Sequence, residues 1–146
     1  MHFDGSFDVR STTEKIYSTL TDPNAIAKSL PDLKELEIIS EDKFKAKFTV
    51  GISYIKGTVN LEFTIAEKTP NKHAKLLGHG SGLQSSIDLE TSFDLVEKGG
   101  GETTVKWSAE SKVGGLIAGV GAKMLNNASE KQILSLVESI KAQLEQ

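Results

Sequence analysis

The chain of 146 residues carries 17 Lys+Arg against 20 Asp+Glu, a formal net charge of −3, and no cysteine. That balance advertises no nucleic-acid surface, and the missing thiols exclude disulfides, iron–sulfur clusters, thiolate metal sites and cysteine nucleophiles. With 38% hydrophobic residues and 13 glycines, the composition is that of an ordinary globular chain, and its length predicts one domain over residues 1–146.

The opening His2–Val9 alternates, with Phe3, Gly5, Phe7 and Val9 on one side, which is strand spacing. Ser11-Thr12-Thr13-Glu14 reads as a capping box with Ser11 at its head, starting a short helix that turns Ile16, Tyr17 and Leu20 inward. Asp22-Pro23 supplies an N-cap and a first-turn proline for a second short helix, which Pro31 must end by denying Leu30 a helical conformation. From Leu33 to about Val113 the texture is that of strands. Phe44, Ala46, Phe48 and Val50 share one side, and so do Val59, Leu61, Phe63 and Ile65. Ile87, Leu89, Phe93 and Leu95, then Val105, Trp107, Ala109 and Val113, repeat the pattern between the turn signals Pro70-Asn71-Lys72 and Gly99-Gly100-Gly101. Half-polar strands joined by short turns predict an antiparallel sheet with one wet face and one that must be covered.

The cover is a predicted helix from Gly115 to about Leu144. One face collects Ala118, Gly121, Ala122, Leu125, Ser129, Ile133, Leu136, Val137, Ile140 and Leu144, small in its first half and bulky in its second. The bulky half closes on the sheet; the small half lets backbones touch or leaves a void for a ligand. A second stripe, Ile117, Val120, Met124 and Ala128, points elsewhere, either under the early helices or outward as a docking patch.

Chemistry-bearing residues are sparse. His2, His73 and His79 have no metal-ligand spacing, so no metal or cofactor is expected. Asp88, Glu90 and Asp94 alternate opposite Leu89 and Phe93, which makes them a solvated row rather than paired catalytic carboxylates. The serines and threonines of residues 81–104 form no nucleophile elbow. Gly78-His79-Gly80-Ser81-Gly82 lacks dinucleotide-binding spacing, and Gly114-Gly115 reads as a hinge into the last helix. Asn127-Ala128-Ser129 matches a glycosylation sequon but falls inside that helix. What remains is an apolar interior. Phe48, Leu61, Phe63, Leu76, Leu89 and Phe93 point to the covered side beneath Ala118, Ala122 and Leu125, with Tyr54 and Trp107 as aromatic rings that also carry a hydrogen-bond donor.

A strand, two short helices, about six antiparallel strands and a long last helix form the order of the helix-grip fold. Specific segments carry a resemblance: Phe3–Val9, Leu20-Thr21-Asp22-Pro23, Leu30-Pro31, Val50–Thr58, Leu77–Gly82 and Val113–Gly121. On them the chain resembles the START-like superfamily and, within it, the CoxG-like family of carbon monoxide dehydrogenase accessory proteins. Asp32 stands where that family more often has glycine. The resemblance implies an α+β helix-grip fold and a non-catalytic accessory protein that carries an apolar small molecule, lipid or quinone-like, and assists a molybdenum hydroxylase. The ligand is expected to enter near Leu30-Pro31 and Gly51–Tyr54. An alternative is docking on an oxidoreductase complex or a membrane surface through Ile117, Val120 and Met124; a cyclase-type enzyme ranks last, as no acid–base group falls in the interior. Met1–Arg10 lacks the features of a signal peptide and no apolar run is long enough to span a bilayer, so the expected location is the cytoplasm, with peripheral membrane contact in the docking case.

Overall fold

The computed structural model describes residues 1–30 and 32–146. Its elements are β1 (His2–Val9), α1 (Thr13–Leu20), α2 (Pro23–Ala27), β2 (Leu33–Ser40), β3 (Lys43–Ile52), β4 (Ile55–Thr69), β5 (His73–Gly82), β6 (Ser85–Gly99), β7 (Glu102–Gly115), a 3-10 turn at Ile117–Val120 and α3 (Ala122–Leu144). All seven strands form one antiparallel sheet in the order β1-β7-β6-β5-β4-β3-β2. Each strand after β2 is thus a hairpin partner of the one before it, and only β1 crosses over to pair with β7.

The turns form where the residues permit left-handed backbone. Asn71 sits at φ 64° between β4 and β5, and Gly99, Gly100 and Gly101 at 90°, 64° and 79° between β6 and β7. Alternation puts the apolar side chains on one face and fixes the register. One row across the sheet is Ala109, Thr91, Leu76 and Ile65; the next is Ser111, Leu89, Gly78, Phe63, Phe44 and Ile38; the third is Val113, Ile87, Gly80, Leu61, Ala46 and Leu36.

Two expectations need correction at the helix starts. The N-cap of α1 is Thr12, whose hydroxyl accepts from the Lys15 N–H at 3.2 Å, while Ser11 is buried with its hydroxyl unpartnered. Ser11 is committed instead to the end of β1, its N–H bonding Val9 O and its carbonyl accepting from Thr103 Oγ1, so capping shifts one residue on. The last helix begins at Ala122, not Gly115. Gly121, at φ 99° and ψ 153°, breaks the chain between the 3-10 turn and α3, and Gly119 and Gly121 make a continuous helix costly. The segment is also held elsewhere: Leu116 N–H bonds Gln84 O at 3.0 Å and Ile117 N–H bonds Ser85 Oγ at 2.9 Å. Asp22 and Pro23 cap α2 as expected, with Asp22 Oδ1 accepting from Asn24 N–H. The helix already ends at Ala27, and its expected stop, Pro31, lies outside the described residues.

Candidate functional site

The apolar face is divided into three clusters. At one end Val9, Ile16, Leu95, Val105, Ile140 and Leu144 pack with Tyr17, Phe93 and Leu136, so α1 and the last two turns of α3 close onto the sheet. At the other end Ile55, Val59 and Ile117 pack with Val50, Leu83, Val113, Val120 and Leu125, and the 3-10 turn seals the hairpin tips. Between them lies a cluster made of strand residues with Leu33: Ala46, Leu61 and Phe63, with Leu36, Phe44, Phe48, Leu76, Ile87 and Leu89 packed around them. Among the described residues no side chain of α3 belongs to it. Ser129 and Ile133, on the α3 face between Leu125 and Leu136, pass over this middle ground half-buried and join none of the three clusters. The result is a cleft with an apolar floor, roofed by α3 and walled at both ends.

Two glycines shape the floor. A Cβ on Gly78 would lie 2.7 Å from the Phe63 ring, and one on Gly80 would lie 2.0 Å from Asn60 O and 2.5 Å from Leu61 Cδ2. Bare backbone at these positions lets Phe63 and Leu61 lie flat across β5. Phe63 stacks on Phe44 at 5.0 Å and meets Phe48 edge-on at 6.3 Å. At the α1 wall, Tyr17 meets Phe93 edge-on at 6.4 Å, and Trp107 lies over Gly5, where a Cβ would come within 2.8 Å of its ring.

Among the sequence-derived candidates, the structure thus gathers Phe48, Leu61, Phe63, Leu76 and Leu89 on the floor, Phe93 and Trp107 at one end, and Leu125 at the other. Three are placed differently from the expectation. Tyr54 is 78% exposed on the β3–β4 hairpin tip, because left-handed Ser53 (φ 56°) turns the chain there and sends the ring outward. Ala122 is exposed at the start of α3, and Ala118 is half-buried on the 3-10 turn, since the helix that was to place both inward is interrupted at Gly121. The second stripe also divides: Ile117 is 5% exposed and packs with Val120 in the end cluster, leaving Met124 alone at 42%. A continuous Ile117/Val120/Met124 docking stripe is therefore not present, because these residues sit on two differently oriented segments.

Sequence reasoning does not find the closure beside the floor. Asp32 carbonyl accepts from Thr49 N–H at 2.8 Å, and its carboxylate accepts from Gln132 Nε2 at 2.7 Å, joining β3 to the middle of α3. In the sequence Asp32 stands out only as a departure from a glycine, and nothing local marks its distant partner.

The outer face is ionic. Glu62 is held below its usual range by hydrogen bonding to Lys43, and Lys75 above its own by Glu90. His79 pairs with Asp88 at 2.6 Å, and His73 sits between Glu67 and Asp94, each at 2.9 Å, the Glu67 hydrogen bond foremost in raising its pKa. Asp88, Glu90 and Asp94 are thus a cross-strand ladder in water, as the alternation predicts. A trough of about 710 Å³ crosses this face among Glu35, Lys47, Asn60, Glu62 and His79, and a hollow of about 490 Å³ lies at Ser81–Ser86 beside Gly115. Both are bordered chiefly by charged or hydroxyl side chains and lack the apolar floor found under α3. Among the described residues, no helix is long and apolar enough to cross a membrane.

No curated protein matches the chain. Among solved structures, a conserved protein from Geobacillus kaustophilus is 29% identical with a TM-score of 0.90, covering 99% of this chain and 95% of that one. A START superfamily protein from Mycobacterium smegmatis is 14% identical at TM-score 0.74 over 99% and 97% of the two chains. The Zhui aromatase/cyclase from Streptomyces sp. R1128 is 11% identical at TM-score 0.73 over 99% and 93%. The family model for the carbon monoxide dehydrogenase protein CoxG matches residues 5–145. The chain has the START-like α+β fold and belongs to the CoxG family.

Proposed function

We propose that the protein is a non-catalytic accessory protein that holds an apolar small molecule, of lipid or quinone type, in the cleft between the middle of the sheet and the first half of α3. The observation that carries this reading is the mid-sheet cluster of Ala46, Leu61 and Phe63, on which no described α3 side chain packs. Open apolar concavities of this kind are the usual form of small-molecule sites. Membership of the CoxG family supports an accessory role beside an oxidoreductase of the carbon monoxide dehydrogenase type. The cyclase reading has less support. A cyclase is a neighbour in fold, but at 11% identity, and the three mid-sheet rows contain no acid–base side chain.

Native mass spectrometry of gently purified protein tests the proposal. The expected result is a population heavier than the bare chain by one small molecule that organic solvent extracts. A bare mass only, together with no rise in melting temperature on adding ubiquinone-1 or a neutral lipid, overturns it.

A further inference from the structure

The floor of the cleft differs from the rest of the sheet in its charge. In the three rows from Ala109–Ile65 to Val113–Leu36, every inward side chain is neutral. The α3 face above them offers Leu125, Ser129, Ile133 and Leu136, while Lys123, Glu130, Lys131 and Glu138 of the same helix are exposed. The carboxylate tied to the middle of α3 is Asp32, through Gln132, and its sign repels an anion. An ionised head group entering here loses its water and meets no counter-charge, so its desolvation is not offset.

The floor is nevertheless not purely apolar. Thr91 and Ser111 point inward from adjacent rows, and the Trp107 indole stands in the row beside Thr91. Among the described residues none of these three side chains has a hydrogen-bond partner, whereas the one sealed, unpartnered side-chain polar atom is Ser11 Oγ. The hydroxyls and the indole N–H therefore still reach open space, where each can donate to an acceptor.

Resting on the binding reading above, we propose that the cleft selects neutral ligands: an apolar body bearing an uncharged hydrogen-bond acceptor, such as an ester or ketone carbonyl, with ionised lipids such as fatty-acid anions excluded. Thr91, Ser111 and Trp107 are the donors, and the absence of a facing cation among the described residues sets the exclusion.

The test uses a matched pair differing only in charge. The full chain is loaded with the neutral fluorophore N-phenyl-1-naphthylamine, which is then displaced by methyl palmitate or by palmitate at about pH 8, where carboxylic acids are ionised. The ester is expected to displace the probe at least tenfold more effectively. Thr91→Val should weaken the ester severalfold and leave hexadecane unchanged, and Ser111→Lys should turn the preference toward palmitate. Equal displacement by ester and acid in the wild type, or stronger displacement by the acid, overturns the selectivity and leaves the binding reading standing. Failure of the fluorophore and of all three ligands to bind overturns the binding reading and the selectivity with it. The wild-type pair decides the matter even where a variant fails to fold.

Discussion

Gly80 is the residue whose side chain the molecule can least accept. Its Cβ would meet a backbone oxygen, Asn60 O, at 2.0 Å, and backbone cannot swing aside as a side-chain end can. Gly80→Ala is expected to cost about 1–3 kcal/mol, read as a lower urea midpoint at unchanged slope; an unaffected midpoint would show that the floor is not packed against β5. His73 supplies a second residue-level prediction. Glu67, and then Asp94, hold its folded pKa above the 6.5 of a free histidine. Its contribution to stability is therefore complete below about pH 6.5 and is lost as pH rises through the higher folded value. His73→Gln should flatten the decline in melting temperature above that pH, with a residual slope from His2, whose pKa Asp4 and Glu110 raise. An unchanged profile would place the pH dependence elsewhere. The glycines at 78, 80 and 82 are visible as a group in the sequence, and alternation puts them on one face. Which neighbours fill their places depends on register with β4, which no local pattern records.

At the scale of elements, α3 does two jobs along its length. Ile140 and Leu144 are buried against α1 and β1, so Ile140→Ala should cost about 2–5 kcal/mol while leaving probe affinity nearly intact. Ile133 joins no cluster, so Ile133→Ala should behave in the opposite sense, with a small loss of stability and weaker binding of N-phenyl-1-naphthylamine. Paired thermal melts and fluorescence titrations separate the two. The uneven texture of this helix, small residues before bulky ones, is legible from 3.6-residue periodicity. Its start is not. Periodicity alone carries the helix back to Gly115, and the interruption at Gly121 depends on Ser85 and Gln84 of a distant hairpin holding Ile117 and Leu116. The same break explains why Ala122 and Met124 face water. Strands fare better, because two-residue alternation and turn glycines are local signals that the antiparallel sheet reinforces.

For the molecule as a whole, the architecture is readable because element order and alternation leave few ways to cover one apolar face. The cleft is legible only as a tendency. The separation between α3 and the middle of the sheet is set by the seals at its two ends, Leu136–Leu144 and Ile117–Leu125, and by the Asp32–Gln132 bridge, all of them long-range contacts. Ligand binding therefore depends on that separation being real space rather than loose packing. Ser129→Phe measures it most directly, since position 129 lies on the α3 face between the two seals, above the mid-sheet floor. If the space is there, the phenyl ring occupies it: the variant should melt at or above the wild-type temperature and lose at least tenfold in affinity for N-phenyl-1-naphthylamine. A variant that melts several degrees lower, as overpacking by about 1–3 kcal/mol would cause, and still binds the probe as the wild type does would contradict the existence of a ligand cleft under α3.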